Sequence, residues 1–377
     1  MANMPPPPPS SGPADTHHFA CSACGADMRY DPAGARLLCD HCGHTEAIAP
    51  DRTGPWVSVG LTELDFRAAV ANRLPEIELE TTQVLNCPGC GAQVEFRPDE
   101  HAAECPFCAT PVVTGTGANR HIKPKGVAPF RLNEDQARKA MTDWLGRLWF
   151  APSSLQKYAR HGRRMAGIYV PYWTYDARTR TAYRGQRGKI RVESYTVMVD
   201  GKPQRRTRQR IDWYPAAGRV TRDFDDVLVL ASSALPRRFT EALEPWDLGQ
   251  LRPYTPSYLA GFRAEAYGIP LEDGFTEARD KMRQVIERDV RFHIGGDVQR
   301  IQSLDTDTDD ITFKHVLLPV WVAAYRFGGK SYRFVVNGQT GRVQGERPWS
   351  PWKLAGAILA ALLIAAVAGY IYAIGQG

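Results

Sequence analysis

The chain holds eight cysteines, and all of them fall into four Cys-x2-Cys pairs. Cys21 and Cys24 are followed after fourteen residues by Cys39 and Cys42. Cys87 and Cys90 are followed, again after fourteen, by Cys105 and Cys108. A Cys-x2-Cys turn presents two sulfurs to one tetrahedral ion at ~2.3 Å, and a ~15-residue hairpin carries a second turn opposite the first. The chemistry is thiolate ligation of Zn2+, two ions with four sulfurs each. Gly25, Gly43 and Gly91 follow the second cysteine of their pairs, where the turn needs a residue at ease with positive φ; Ala109 stands at the fourth such place. Disulfides and a thioredoxin-like redox pair compete for the same spacing. A reducing compartment opposes the first, and the duplicated fourfold pattern opposes the second. Four thiolates close each site to water, so both ions are expected to be structural. His41, His44 and His101 flank or fall within these hairpins and read as surface or supporting residues rather than ligands.

Such sites need small folded units to hold them, and the chain divides accordingly. Residues 1–18 are a Pro-rich tail of extended or disordered character. Residues 19–50 form a first zinc ribbon and 84–115 a second, joined by a helical linker over 51–83. In that linker Leu61–Leu74 reads as one amphipathic helix with Thr62 near its start and Pro75 as its stop. From 120 to 348 the composition is that of an ordinary globular domain. Asn133 caps a helix with Gln136 at the third helical position, and Ala137, Ala140, Met141, Trp144, Leu145 and Leu148 form its apolar stripe. The strand-like GIYVPYW with Pro171 and Trp173 comes next. A second amphipathic run (Ala278, Met282, Val285, Ile286) precedes VLLPVW with Pro319 and Trp321, about 148 residues further on. The reading is an α+β domain with a diverged internal duplication. Asn337-Gly338 and Thr340-Gly341 turn its last hairpin.

Residues 354–374 run without a charge, long enough as a helix to cross a bilayer's hydrocarbon core. Trp349, Trp352 and Lys353 stand just before them, where interfacial anchors belong. The expected anchor is a single transmembrane helix over 352–374. Arg342, Arg347 and Lys353 lie on its amino-terminal side, which puts the bulk of the chain on the cytoplasmic face of the plasma (inner) membrane. The opening residues have no apolar stretch of the kind a cleaved secretion signal needs.

The formal charge of +6 falls to about +2 when eight thiolates hold two Zn2+ ions, so global charge selects no partner class. Its distribution says more. Between Arg178 and Arg222 thirteen Lys/Arg stand against three Asp/Glu, interleaved with Tyr183, Tyr195, Trp213 and Tyr214. Hairpin strands around Asp200-Gly201 would display Arg184, Arg187, Lys189, Arg191, Arg205, Arg206, Arg208 and Arg210. Three readings remain open for that patch: a solvated face that discourages edge pairing, a site for anionic headgroups, or a surface for nucleic acid.

Other apparent motifs fail. Gly328-Gly329-Lys330-Ser331 lacks the first glycine of a phosphate-binding loop, and Asp305, Asp307 and Asp309 lack the glycine and glutamate that a calcium loop requires. His161, His293 and His315 are isolated, and Asp223, Asp225 and Asp226 have no partner identifiable in the sequence. Nothing assembles into a catalytic constellation, and no small-molecule substrate is evident.

The two Cys-x2-Cys ribbons, Val127-Ala-Pro-Phe130 before a helix, GIYVPYW, LLPVW, VNGQTG and a terminal anchor together resemble a bacterial family of membrane-anchored tandem zinc-ribbon proteins, the YdjG-like family. Members carry labels such as primosomal protein N′ (replication factor Y) or TFIIB-type zinc ribbon protein. The resemblance implies the eight cysteines as zinc ligands and an adaptor role at the membrane, with protein partners of the phage-shock PspA type in envelope stress. It does not imply a helicase motor, for which the phosphate loop is missing. The expected function is a non-enzymatic adaptor recruiting protein partners to the membrane. The alternative is a membrane-tethered nucleic-acid binder. An enzyme would require distant carboxylates such as Asp225 and Asp226 to converge in a pocket.

Overall fold

A computed structural model describes residues 19–48, 61–95, 102–108, 110–113, 117–149, 165–199, 202–327, 330–346 and 350–375. The expected tail 1–18, His101, Ala109, His161, the Asp200-Gly201 turn, Gly328-Gly329, Arg347 and Trp349 lie outside them. Near the amino terminus β1 (Met28–Asp31), β2 (Arg36–Cys39) and β3 (Thr45–Ala47) form a small antiparallel sheet. β4 (Leu64–Asp65) leads into α1 (Phe66–Val70). β5 (Leu79–Asn86) pairs with β6 (Gln93–Glu95); β7 (Ala102–Glu104) pairs with β8 (Pro111–Val113); β9 (Gly117–Ile122) returns to the other side of β5. The body then follows as β10 (Gly126–Val127), α2 (Glu134–Gly146), β11 (Ala166–Val199), β12 (Lys202–Leu230), α3 (Arg237–Ala242), β13 (Arg252–Pro253), β14 (Arg263–Ala264), α4 (Leu271–Ile294), β15 (Val298–Phe327), β16 (Lys330–Asn337) and β17 (Val343–Gly345). α5 (Pro351–Gly375) ends the described chain. The architecture is therefore mixed helix and strand, with one apolar carboxy-terminal helix and two four-cysteine clusters.

β11 and β15, antiparallel neighbours in a nine-stranded sheet, organise the rest. Along β11 the sequence passes through three regimes. Ile168–Tyr175 is an almost unbroken apolar run buried on both faces; Ala177–Tyr183 alternates buried with exposed; beyond Lys189 most side chains meet solvent. Helices cover one face: α2 packs Ala137, Met141 and Leu145 near Tyr169, Leu317 and Trp321, and α4 packs Phe275, Ala278, Met282 and Ile286 near Trp173, Tyr175 and Phe313. The opposite face (Ile168, Val170, Tyr172, Leu318, Val320) is closed by α3 with Trp246 and by Ala92, Val94, Cys105 and Phe107 of the second cysteine unit.

A proline inside a central strand normally costs a ladder bond. Here the outer edge of β11 is shared by β12, which pairs up to Tyr172, and by β14, which pairs at Ile168 and Tyr169. Pro171 sits at the change-over, and its carbonyl accepts from Ala231 N at 3.0 Å. On β15 the same edge is shared by β16, pairing from Val320, and by β10, pairing at Val316 and Leu317. Pro319 occupies that change-over and accepts from Gly338 N at 2.8 Å. The following tryptophans match as well. Trp173 Nε1 donates to the Ile269 carbonyl just ahead of α4, and Trp321 Nε1 donates to the Leu132 carbonyl just ahead of α2, both at 3.0 Å. Each Pro-x-Trp strand thus secures the helix that precedes the other one, about the central Val170↔Leu318 pair.

Two local expectations differ from the structure. The helix expected over Leu61–Leu74 forms only at Phe66–Val70, capped by the Asp65 carboxylate (Ala68 N to Oδ1, 2.6 Å) rather than near Thr62. Leu64 and Asp65 instead pair with Phe313 and Thr312 of β15, and Asn72 at φ +53° ends the turn before Pro75 is reached. Tertiary pairing overrides the helical period there. The capping box at Asn133 and Gln136 forms as the sequence suggests, and Asn337 Oδ1 turns the last hairpin by accepting from Gln339 N (2.8 Å) and Thr340 N (3.0 Å). Lys330 and Ser331 open β16, so the phosphate-loop lookalike leads into a strand, not a helix.

Candidate metal centres and the basic arm

In each cysteine unit the first Cys of a pair is buried and the second more exposed: Cys21 and Cys39 against Cys24 and Cys42, Cys87 and Cys105 against Cys90 and Cys108. The turns are alike. Gly25 N donates to Cys21 O (2.8 Å), Gly43 N to Cys39 O (2.9 Å) and Gly91 N to Cys87 O (2.8 Å). These glycines hold φ between +74° and +75°, a region a side chain resists. Sulfur–sulfur approaches are 3.7 Å (Cys21–Cys42), 3.6 Å (Cys24–Cys39), 3.6 Å (Cys87–Cys108) and 3.7 Å (Cys90–Cys105). A tetrahedron with metal–sulfur bonds of ~2.3 Å has edges of about 3.8 Å, so both clusters fit a tetrathiolate ion such as Zn2+. A disulfide, at ~2.05 Å, is far shorter than any of these approaches. Thr110 Oγ1 lies 3.1 Å from Cys108 Sγ, placed to donate its hydroxyl to a thiolate. In the first unit Ser22 Oγ donates to Glu46 Oε1 (2.6 Å) and lies 3.2 Å from His44 Nε2; these two polar side chains brace the loop rather than complete the ligand set.

The two clusters sit differently on the body. The first rests on the 254–262 segment: Tyr30 N donates to Ala260 O (2.9 Å), Tyr30 stacks edge-on with Tyr258, and a Cβ at Gly261 would fall 2.8 Å from Arg29 Cβ. The second is built into the sheet's core. Val94 bridges Glu265, Ala266 N donates to Gln93 O (2.9 Å), and Phe107 is fully buried. Sequence reasoning treats the units as equal modules, and it misses this asymmetry.

It also misses two buried ionisable groups. Lys314, 5% exposed, interrupts the apolar run of β15, and Glu63 Oε1 (2.7 Å), Asp226 Oδ1 (2.9 Å) and Asp176 Oδ2 (3.9 Å) surround its Nζ. Glu63, Asp176 and Asp225 also lie close enough together to hold a cation, and the Lys314 ammonium already stands against two of them, Glu63 and Asp176. A hydrogen bond from Asp176 holds the Glu63 carboxyl low, while burial raises that of Asp176. So Asp226 does have a partner, and positive-φ bulge residues, Asp226 in β12 and Asp310 in β15, stand on either side of β11 there. The other group is Glu265, 2% exposed, whose Oε1 accepts from Ser232 Oγ at 2.7 Å while Oε2 has no hydrogen-bond partner among the described residues. Burial pushes its pKa up to about 8.

The aspartates that imitate a calcium loop belong to an extended strand. Asp307 and Asp309 pair across from Arg180 and Arg178, and Asp309 salt-bridges Arg180 at 2.5 Å. His293 accepts or donates at Tyr183 OH (2.7 Å), and buried His315 meets the Ile122 carbonyl (2.8 Å).

Beyond Gly188 the pairing of β11 with β15 ends, and β11 and β12 continue alone as an arm. The register separates the eight expected basic residues. Arg187, Lys189, Arg191, Arg206, Arg208 and Arg210 share one face with Tyr195; Arg184 and Arg205 lie on the other. On the basic face Arg191 pairs with Asp212 (2.7 Å) and Arg208 with Glu193 (3.0 Å), with Arg210 reaching both acids (3.7 and 3.5 Å).

α5 runs 25 residues, and none of the window Trp352–Gly369 is buried against the body. It is long and apolar enough to cross a membrane.

Among curated proteins, the chain is similar to one from Bacillus subtilis (strain 168) described as "Uncharacterized protein YdjG". The two are 25% identical over 338 residues, spanning 89% of this chain and 92% of that one. No protein-family profile matches, and no solved structure does. The likeness spans most of both chains and supports a YdjG-like family.

Proposed function

We propose that this protein is a non-enzymatic, single-pass membrane adaptor whose bulk lies at the cytoplasmic face of the inner membrane. The observation that carries the reading is α5: a 25-residue apolar helix that leaves the body after a short connection and buries none of its central window there. A core helix would be covered; this one has a hydrocarbon-sized surface left over. Arg342 precedes it and Lys353 lies in its first turn, which favours a cytoplasmic body. The ions held by the eight cysteines are zinc, closed to substrate and serving to fold the units around them. The matched Pro-x-Trp contacts support an origin of the body from one repeated unit. Protein partners, including PspA-type proteins of envelope stress, follow from the family resemblance.

Protease digestion of right-side-out and inverted inner-membrane vesicles tests placement, and a partner's membrane share tests adaptor duty. The expectation is cleavage of the body only in inverted vesicles, with less partner at the membrane once residues 351–375 are removed. Cleavage in right-side-out vesicles, or an unchanged partner distribution, would sink the proposal.

A further inference from the structure

The arm is a two-stranded ribbon that nothing in the body covers. Past Gly188, β15 no longer flanks β11; Ile190 N still donates to Asp297 Oδ2 at 2.8 Å, and beyond it the backbone of 191–199 pairs with that of 202–210. Isolated hairpins of this kind are marginal in water unless a face is covered. Both faces here are uncovered, and they differ. One carries Arg187, Lys189, Arg191, Lys202, Arg206, Arg208 and Arg210 with only Glu193 and Asp212 against them. The other carries Ile190, Val192 and Met198 on β11 and Ile211 and Pro203 on β12, interspersed with uncharged polar side chains and one charge, Arg205, and has Trp213 at the base under Arg300 (4.0 Å to the ring centroid). Val192 is 64% and Met198 68% exposed, large values for apolar side chains on strands. A weakly charged face with exposed apolar side chains opposite a cationic one is the composition of elements that lie in a membrane interface, apolar side chains down and long basic ones, Arg205 included, reaching round to headgroups. Nucleic acid would engage the basic face and leave Val192 and Met198 wet.

We infer that the arm docks on an anionic lipid surface, giving the protein a second attachment besides α5. The inference rests on the membrane reading above. Geometry adds a constraint. β17 pairs antiparallel to β16, which pairs antiparallel to β15, so the chain heads towards α5 in the direction away from the arm. Gly345 lies level with Phe334 and Ala323, some thirty residues along the strands from Val199, or up to about 100 Å. The arm therefore reaches the bilayer that holds α5 when the long strands lie along its plane, and the body rests on its side.

Hydrogen exchange of the full-length chain in nanodiscs tests this, comparing phosphatidylcholine discs with discs containing ~30% phosphatidylglycerol. Amides of 189–199 and 202–212 are expected to exchange about tenfold slower or more in the anionic discs. The protection should vanish in Arg191→Glu/Arg206→Glu/Arg208→Glu and weaken in Val192→Ser/Met198→Ser. Glycerol phosphate added to phosphatidylcholine discs should give none, separating a lipid surface from free phosphate. Equal exchange in both discs overturns the proposal, and so does stronger protection by single-stranded DNA on neutral discs. Co-elution with the discs reads the anchor independently. If the chain stays out of them, the membrane reading fails, and exchange with added phosphatidylglycerol vesicles still decides the arm.

Discussion

Emptying one cysteine cluster should unfold the body, and emptying the other should not. The second cluster carries Leu85, Val94 and Phe107 into the core beneath Ile168, Val170, Tyr172 and Leu318. At about 1.5–3 kcal/mol for each large apolar side chain, losing those three removes roughly 5–9 kcal/mol. That is comparable to the whole stability of an ordinary domain, ~5–15 kcal/mol. The first cluster gives the body mainly Tyr30, packed with Phe130, Phe262 and Tyr258, so its loss costs the body about 2–3 kcal/mol. The pair of variants is Cys105→Ser/Cys108→Ser against Cys39→Ser/Cys42→Ser, each expected to keep the zinc of the intact cluster. Hydrogen exchange at residues 166–173 and 316–322 of the full-length chain in detergent reads the body directly. The Cys105/Cys108 variant should lose protection there, and the Cys39/Cys42 variant should keep it. Phe107→Ala keeps every ligand and should still cost about 3–5 kcal/mol. Intact protection at 166–173 without the second zinc, or equal collapse of both variants, would refute the reasoning.

Glu265 sets a pH dependence. Its carboxyl is raised by burial from 4.5 to about 8, so its contribution is complete below about pH 4.5 and is lost as pH rises through 8. Relative to Glu265→Gln, the natural chain should lose up to about 1.4 kcal/mol per pH unit between pH 6 and 8, and parallel denaturation midpoints at those two pH values would contradict this. Lys314→Ala strands Glu63, Asp176 and Asp226 around an empty centre; urea unfolding should show a loss of about 2–4 kcal/mol, less than for a fully buried pair because Glu63 and Asp226 keep some solvent.

What the sequence makes legible follows from the range of the interactions involved. Local chemistry reads well: the knuckle glycines, the Asn133–Gln136 capping box and the Asn337 turn each depend on residues within a few positions of one another. The cysteine spacing works for the same reason, since metal geometry fixes distances without reference to the rest of the chain. Long-range pairing defeats the reading. Leu61–Leu74 has a helical period, yet Leu64 is taken by Phe313, some 250 residues away. The basic patch reads as one surface, but a period of two sends Arg184 and Arg205 to the far side of the ribbon. Lys314 had a visible signal, a lone charge inside TFKHVLLPVW, and the fold alone supplies its three carboxylates.

The matched contacts of the body also indicate where its special role resides. Counting from the Tyr172↔Leu230 pair, β11 and β12 make twenty-seven pairs to Val199↔Lys202; counting from the corresponding Val320↔Asn337 pair, β15 and β16 make only eight, to Phe327↔Lys330. If both halves descend from one unit, a scaffold that needed only to fold would gain nothing from the longer hairpin. Its outer part buries no core, spends a long edge strand on solvent, and concentrates arginine where self-repulsion opposes folding. An element that costs stability in this way suits a role completed by an outside surface. The cysteine units and helices close over the sheet of the body, α5 leaves it as an uncovered apolar helix, and the arm is the element left with exposed charge and exposed apolar area at once.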